Sequence, residues 1–253
     1  MCILFLALGQ HDDFPLIVAA NRDEFHQRPS STMHYWPDHP NILAGRDEQA
    51  GGTWLGVGRD GRFCAVTNLR TGTPLNPTAR TRGELIPNFL DSAPDSRAFS
   101  RFLAAEYDKY NPFNLVFGDR SRLEVFSSAD GRCRSLAPGI HSVSNGLVDE
   151  AWPKMASGVA RLSTLVADNA DMDIDRINNI MHDETRAEDH LLPDTGLNHD
   201  TERQLSSIFI RGAEYGTRTT SILLFGEREI NVFESNYRAS GAVSNSTAFC
   251  ITA

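Results

Sequence analysis

The chain opens Met1-Cys2-Ile3-Leu4-Phe5-Leu6-Ala7-Leu8-Gly9, and no other stretch restricts the fold as strongly. An apolar, β-compatible run from Ile3 to Leu8, stopped by a glycine, reads as a buried strand. Such a strand holds the beginning of the chain in the core, where most chain ends fray. A small residue at position 2 is also what permits removal of the initiator Met. Cys2 would then carry a free α-amine and a thiol on one residue. Their unperturbed pKa values lie near 8 and about 8.5, so both exchange protons at neutral pH. That is the logic of an N-terminal nucleophile, in which the terminal amine is the general base for its own side chain. Taken alone, the stretch favours a plainer account, a cysteine packed second on a core strand.

The next residues change the balance. Gln10-His11-Asp12-Asp13 is a polar turn, and Phe14 to Ala20 is a second apolar run, so the two form a hairpin. The hairpin delivers Asn21-Arg22-Asp23-Glu24-Phe25 just after its second strand. With antiparallel strands of similar length, residues 20–23 return beside Cys2. Arg22 there would favour the thiolate, and a nearby carboxylate, Asp23 first among the candidates, would favour and orient the protonated amine. Most charged runs are solvated loops; the coincidence with Cys2 moves this one toward function.

His26 to Pro40 reads as a loop broken by Pro29, Pro37 and Pro40. His34, Asp38 and His39 fall in it at no standard ligand spacing, so no metal is expected. Tyr35 and Trp36 serve as packing or as pocket wall. Gly51-Gly52-Thr53-Trp54 leads into a strand; the glycines suit close backbone approach or a bulge, and Trp54 is a candidate ligand contact. The spacing is that of neither a Walker loop nor a dinucleotide fingerprint. Arg62 to Asn68 is the returning strand, and Asn68 at its end is either a turn former or an amide donor for an oxyanion. Asn68 to Gly83 is a long loop with Arg70, Arg80 and Arg82 and no acidic residue, suited to carboxylate or phosphate capture or simply solvated.

Helices are predicted over Thr81–Leu90, Asp95–Tyr110, from Pro153 to about Val166, and over Ile174–His182. Strands are predicted over Phe113–Gly118, Leu123–Ser127, Ile140–Ser144, Ile208–Ile210, Ile222–Phe225 and Glu229–Glu234. Asn145 sits between a β run and a glycine, where its amide is aimed into a cleft or merely forms a turn. Arg218, at a strand opening among small residues, faces a pocket or solvent.

At 253 residues the chain is read as one domain, 1–253, with enough length for an unstapled core. A net charge of −9 argues against general binding to nucleic acid or anionic membrane. Cys2, Cys64, Cys133 and Cys250 form no CxxC pair, so a reduced cytoplasmic protein is expected. The opening apolar run lacks the flanks of a secretory signal, and no run reaches membrane-spanning length. The sequence leaves the oligomeric state open.

Cys2, Asn21-Arg22-Asp23-Glu24, Gly51-Gly52-Thr53-Trp54, Thr67-Asn68-Leu69-Arg70, Ser144-Asn145-Gly146 and Gly216-Thr217-Arg218 together resemble the NRDE family, also called the transport and Golgi organisation protein 2 family. The resemblance runs essentially from end to end. That family in turn resembles N-terminal nucleophile (Ntn) hydrolases of the penicillin V acylase, bile salt hydrolase and acid ceramidase group. The implied fold is α+β, a four-layer αββα sandwich of two mainly antiparallel sheets; the implied reaction is hydrolysis of a linear acyl amide, with no cofactor required. The resemblance gives Cys2 the role of nucleophile, Arg22 that of the first Arg, Asn145 that of the oxyanion Asn, Asn68 a second oxyanion position and Arg218 the late Arg. In the hydrolases the Asp lies three residues beyond the Arg; here Asp23 is adjacent to Arg22 and Phe25 stands three beyond. The family also implies a second function. Eukaryotic members are implicated in haem mobilisation and in lipid or acyl-CoA metabolism, so the same scaffold would carry haem or an acyl-CoA-like ligand, with Arg70, Arg80 and Arg82 on its anionic end. The partner in either case is a small molecule with an acyl or anionic group.

Overall fold

The computed structural model describes residues 2–168 and 172–252. Met1, whose removal was an expectation of the sequence, lies outside them. The first strand, β1 (Cys2–Leu8), is buried along its whole length. A strand apolar on both sides must be covered on both faces, and the pleat divides the coverage. Ile3, Phe5 and Ala7 pack under two helices, α3 (Pro153–Ala167) and α4 (Ile174–Met181). Cys2, Leu4, Leu6 and Leu8 face the other way, into a cluster with Leu43, Leu55, Val57, Phe63 and Val116 of a second sheet. The alternation of a strand therefore decides that the Cys2 side chain enters the space between two sheets.

The first sheet runs β10-β1-β2-β11-β12-β13, with β2 Leu16–Phe25, β10 Gly139–Val143, β11 Tyr215–Phe225, β12 Glu229–Tyr237 and β13 Val243–Thr252. The second runs in chain order through β3 Ser30–Tyr35, β4 Ile42–Asp47, β5 Leu55–Gly58, β6 Phe63–Asn68, β7 Phe113–Asp119, β8 Arg122–Ser127 and β9 Arg132–Ser135. Neighbouring strands pair antiparallel in both sheets. The outer face of the second sheet, through Ile42, Cys64, Leu115, Phe117 and Phe126, is covered by α1 (Leu85–Pro87) and α2 (Ser96–Glu106). Three apolar clusters between four layers make this the α+β αββα arrangement that the resemblance implied.

Several boundaries differ from the expectations. Asn21-Arg22-Asp23-Glu24-Phe25 is the second half of β2 rather than a loop beyond it; pairing with β11 from Tyr215 to Phe225 carries the strand through its charged residues. The supposed loop from His26 to Pro40 contains β3, an edge strand with an irregular register against β4. The helix expected over Thr81–Leu90 is broken into a 3-10 turn (Arg82–Glu84), α1 and a π turn (Asn88–Ser92). Pro87 donates no N–H there. Ile208–Ile210 is not a strand. Its backbone is satisfied piecemeal: the Ile208 carbonyl accepts from Asn21 Nδ2 at 3.0 Å, and Ile210 N donates to Thr217 Oγ1 at 2.9 Å. The edge strands β9 and β13, which are polar, and β4 were not anticipated.

Candidate active site

The β1–β2 register pairs Cys2 with Arg22 across the hairpin, and β11 pairs Thr219 with the same Arg22. Directly opposed residues on antiparallel strands share a face, so thiol and guanidinium point together into the space between the sheets. There they line a cavity of about 440 Å³ together with Asp23, Trp54 and Asn68.

Arg22 is 4% exposed. Its guanidinium lies 4.2 Å from the centroid of the Trp54 ring, donates to Ser30 Oγ at 3.2 Å and approaches Asp47 at 4.0 Å. Stacking and desolvation make such a contact worth more than at an exposed site. Trp54 therefore holds Arg22 in place as well as walling the cavity. Burial pushes the Cys2 thiol up from its ordinary value and Asp23 adds to this, while Arg22 pulls it down. Asp23 is buried, and its carboxylate accepts from Thr217 Oγ1 at 2.7 Å. Burial raises its pKa, and Lys154, the Thr217 hydroxyl and Arg70 oppose the rise.

Both asparagines were expected at an oxyanion position, and only Asn68 lines the cavity. Asn68 lines the cavity with Cys2, and among the described residues its side-chain amide bonds to no other group. Asn145 does not line it. Its Nδ2 donates to the Asn68 carbonyl at 2.8 Å, and its own carbonyl accepts from Arg70 N at 2.8 Å. A buried amide must be bonded, and this one is bonded to the backbone it positions. Arg218 is also not aimed at Cys2: it donates to the carbonyls of Phe25 and Arg28, at 3.1 and 2.6 Å, and holds the β2–β3 turn. The register shift between Thr217 and Thr219 takes it out of the regular pleat.

The three loop arginines part company. Arg70 pairs with Glu202 at 3.1 Å, away from Cys2. Arg80 lines the Cys2 cavity and is paired with Glu84 and Glu106. Arg82 lines that cavity too, and also a second, apolar groove of about 740 Å³ bounded by Phe25, Leu69, Leu197, Leu205 and Tyr215. The two spaces share Glu24, Asn68, Leu75 and Arg82, so the groove and the cavity adjoin at a seam. Of the residues weighed as metal ligands, Asp38 is taken by Arg46 at 2.7 Å and His39 by Asp91 at 2.9 Å.

Some contributors carried little signal in the sequence. Ser144 Oγ donates to the Cys2 carbonyl at 3.1 Å, and Arg28 binds Asp47 at 2.8 Å on the cavity wall. Lys154 is buried, donates to the Leu205 carbonyl at 2.9 Å and has its pKa pulled down to about 8 by burial. The Gly-Gly pair was legible as a close approach without showing to what. Thr53 N donates to the Gly83 carbonyl at 3.1 Å, and a Cβ on Gly52 would stand 2.8 Å from Gly83 Cα. Gly52 thus lets the turn bearing Arg82 lie against the cavity. Gly52→Ala is expected to cost about 1–3 kcal/mol, because backbone on backbone cannot relax as a side chain would; a urea denaturation midpoint equal to the wild type's would contradict this account.

The family described as Transport and Golgi organisation 2 matches residues 1–239. The Transport and Golgi organization 2 homolog of Mus musculus is 32% identical over 244 residues, covering 88% of each chain. The Drosophila melanogaster protein of that name is 25% identical over 248 residues, covering 88% of this chain and 87% of its own. Among solved structures, a mutant of conjugated bile acid hydrolase from Clostridium perfringens superposes with a TM-score of 0.54 at 11% identity, covering 98% of this chain and 92% of that one. At that identity the likeness is one of fold, the Ntn-hydrolase fold. Among the described residues no helix is long and apolar enough to cross a membrane.

Proposed function

The chain belongs to the Transport and Golgi organisation 2 family, and from that premise together with the site geometry we propose that it is an amidohydrolase that cleaves linear acyl amides with Cys2 as its N-terminal nucleophile. The observation that carries this reading is the pairing of Cys2 with Arg22 in a cavity that adjoins an apolar groove. A shared fold does not transfer activity, so the proposal stands on these side chains.

With Met1 removed, the Cys2 α-amine takes the thiol proton. The thiolate attacks the amide carbon, and the carbonyl π electrons move onto oxygen, where the Asn68 amide donates to them. The ammonium returns the proton to the leaving nitrogen, the C–N bond breaks, and the acyl group stays on sulfur as a thioester. Water, deprotonated by the same amine, adds to the thioester and releases a carboxylic acid and the thiol. Asp23 is the carboxylate that orients the ammonium, and Arg22 opposes the effect of burial on the thiol. The acyl chain lies in the groove. Four free thiols support work in a reducing compartment, the cytoplasm.

The test is hydrolysis of a panel of fatty-acyl amides by Met1-free protein, following release of the amine. Asn68→Ala is expected to lower turnover by about 10²–10³-fold with little change in KM, the usual cost of one oxyanion donor. A variant within twofold of wild type removes Asn68 from the mechanism.

A second reading, a carrier without chemistry, draws on the groove itself. Among the described residues the lining includes no His, Cys or Met, and its tyrosine, Tyr215, donates to the Asp23 carbonyl at 3.0 Å. That lining suits an acyl chain such as that of acyl-CoA better than haem, whose iron needs an axial ligand. Saturable binding across the same panel without amine release would favour carriage.

A further inference from the structure

Four arginines line the cavity that holds Cys2: Arg22, Arg28, Arg80 and Arg82. Three of them are compensated. Arg28 and Arg22 share Asp47, and Arg80 has Glu84 and Glu106. Arg82 is half-buried, and among the described residues no carboxylate pairs with it; its hydrogen bond goes to the Pro112 carbonyl at 3.0 Å. A partly desolvated cation without a salt bridge is costly to a fold. The sequence nevertheless fixes it there, through a 3-10 turn capped by Thr81 and seated on Gly52. Such a cation is retained where negative charge arrives during function.

We infer that Arg82 is a further catalytic residue, which holds negative charge first on the Cys2 sulfur and then on the carbonyl oxygen after the sulfur has added to it. The inference rests on the reading of Cys2 as nucleophile. The position of Arg82 selects this role over capture of a distant ligand anion. It stands with Asn68 at the seam between cavity and groove. A carbonyl whose chain lies in the groove and whose carbon meets the Cys2 sulfur passes that seam, where the Asn68 and Arg82 side chains line its path. Burial lowers the pKa of Arg82, and the groups that counter this are Cys2 and Glu24. Asn68 and Arg82 then form a neutral and a charged donor to one oxyanion.

The role can be tested without knowing the substrate. The rate of Cys2 alkylation by iodoacetamide is measured against pH, read by mass spectrometry on the N-terminal peptide of Met1-free protein, for wild type, Arg82→Gln and Arg82→Lys. Losing an opposite charge at close range moves a titration by about one pH unit or more. Arg82→Gln is therefore expected to raise the midpoint by that amount, and Arg82→Lys to restore most of it. An unmoved midpoint in Arg82→Gln overturns the inference; a rise that Arg82→Lys does not restore also overturns it, because it assigns Arg82 to packing alone. Failure of the Cys2 reading would appear instead as amide hydrolysis that survives Cys2→Ala, which thiol titration does not report.

Discussion

Cys2→Ala is expected to reduce amide hydrolysis by about 10⁴-fold or more, the scale on which removal of a covalent nucleophile falls in other acyl-transfer enzymes. Protein that retains Met1 should be as inactive, because the base of the mechanism is the α-amine of Cys2 and that nitrogen would then be an amide. The two losses have different origins. Alanine removes the atom that attacks; the extra residue leaves the sulfur and removes the group that takes its proton. The fold should survive both. Cys2 stands at the cavity end of β1, and the residues that pin the strand, from Ile3 to Leu8, are untouched. Intact mass identifies the N-terminus, and steady-state kinetics on an amide that the wild type cleaves gives the ratio. Turnover by Cys2→Ala within tenfold of wild type, or full activity in a preparation whose mass includes Met1, would remove the nucleophile from the scheme.

The largest effect on stability is expected from Phe5→Ala, at about 3–5 kcal/mol. Phe5 has no exposed surface and points away from Cys2, toward the helical layer. The contact with α3 is close enough that a Cβ on Gly158 would fall inside the van der Waals surface of the Phe5 ring. A helix backbone resting on the ring cannot fill the hole that alanine leaves, so the cavity term adds to the lost transfer energy. Against a total stability of about 5–15 kcal/mol such a loss is a large fraction. The urea midpoint should fall with an unchanged m-value, and an unfolding free energy within about 1 kcal/mol of wild type would mean that α3 does not rest on β1. Activity per folded molecule should change far less than with Cys2→Ala, because the ring and the sulfur occupy opposite faces of one strand.

Arg82 is where chemistry and architecture meet. It lies in the long loop that the sequence marks as basic, but its neighbours in that loop have different fates: Arg70 is neutralised by Glu202 and Arg80 by Glu84 and Glu106. Three arginines of one loop thus become a structural ion pair, a salt-bridged wall residue and, among the described residues, a cation with no salt bridge. Composition could not separate them, because the difference lies in which acid each finds across the fold.

What the residues determined unaided is local. The apolar run of β1, a short polar turn and a second apolar run make a hairpin whose register follows from chain connectivity, so the meeting of Cys2 with Arg22 is legible in the residues themselves. The αββα layering followed from resemblance, and the three apolar clusters account for it physically. What only the tertiary structure decided is remote in the chain. Asn145 binds the Asn68 carbonyl across 77 positions, which ties its amide to backbone and away from the cavity, and Arg82 reaches Pro112 across 30. The bulge between Thr217 and Thr219 removes Arg218 from the cavity. A side chain's partner over such separations depends on how two sheets stack and where loops cross, and a one-dimensional pattern carries periodicity and turn chemistry but not that stacking.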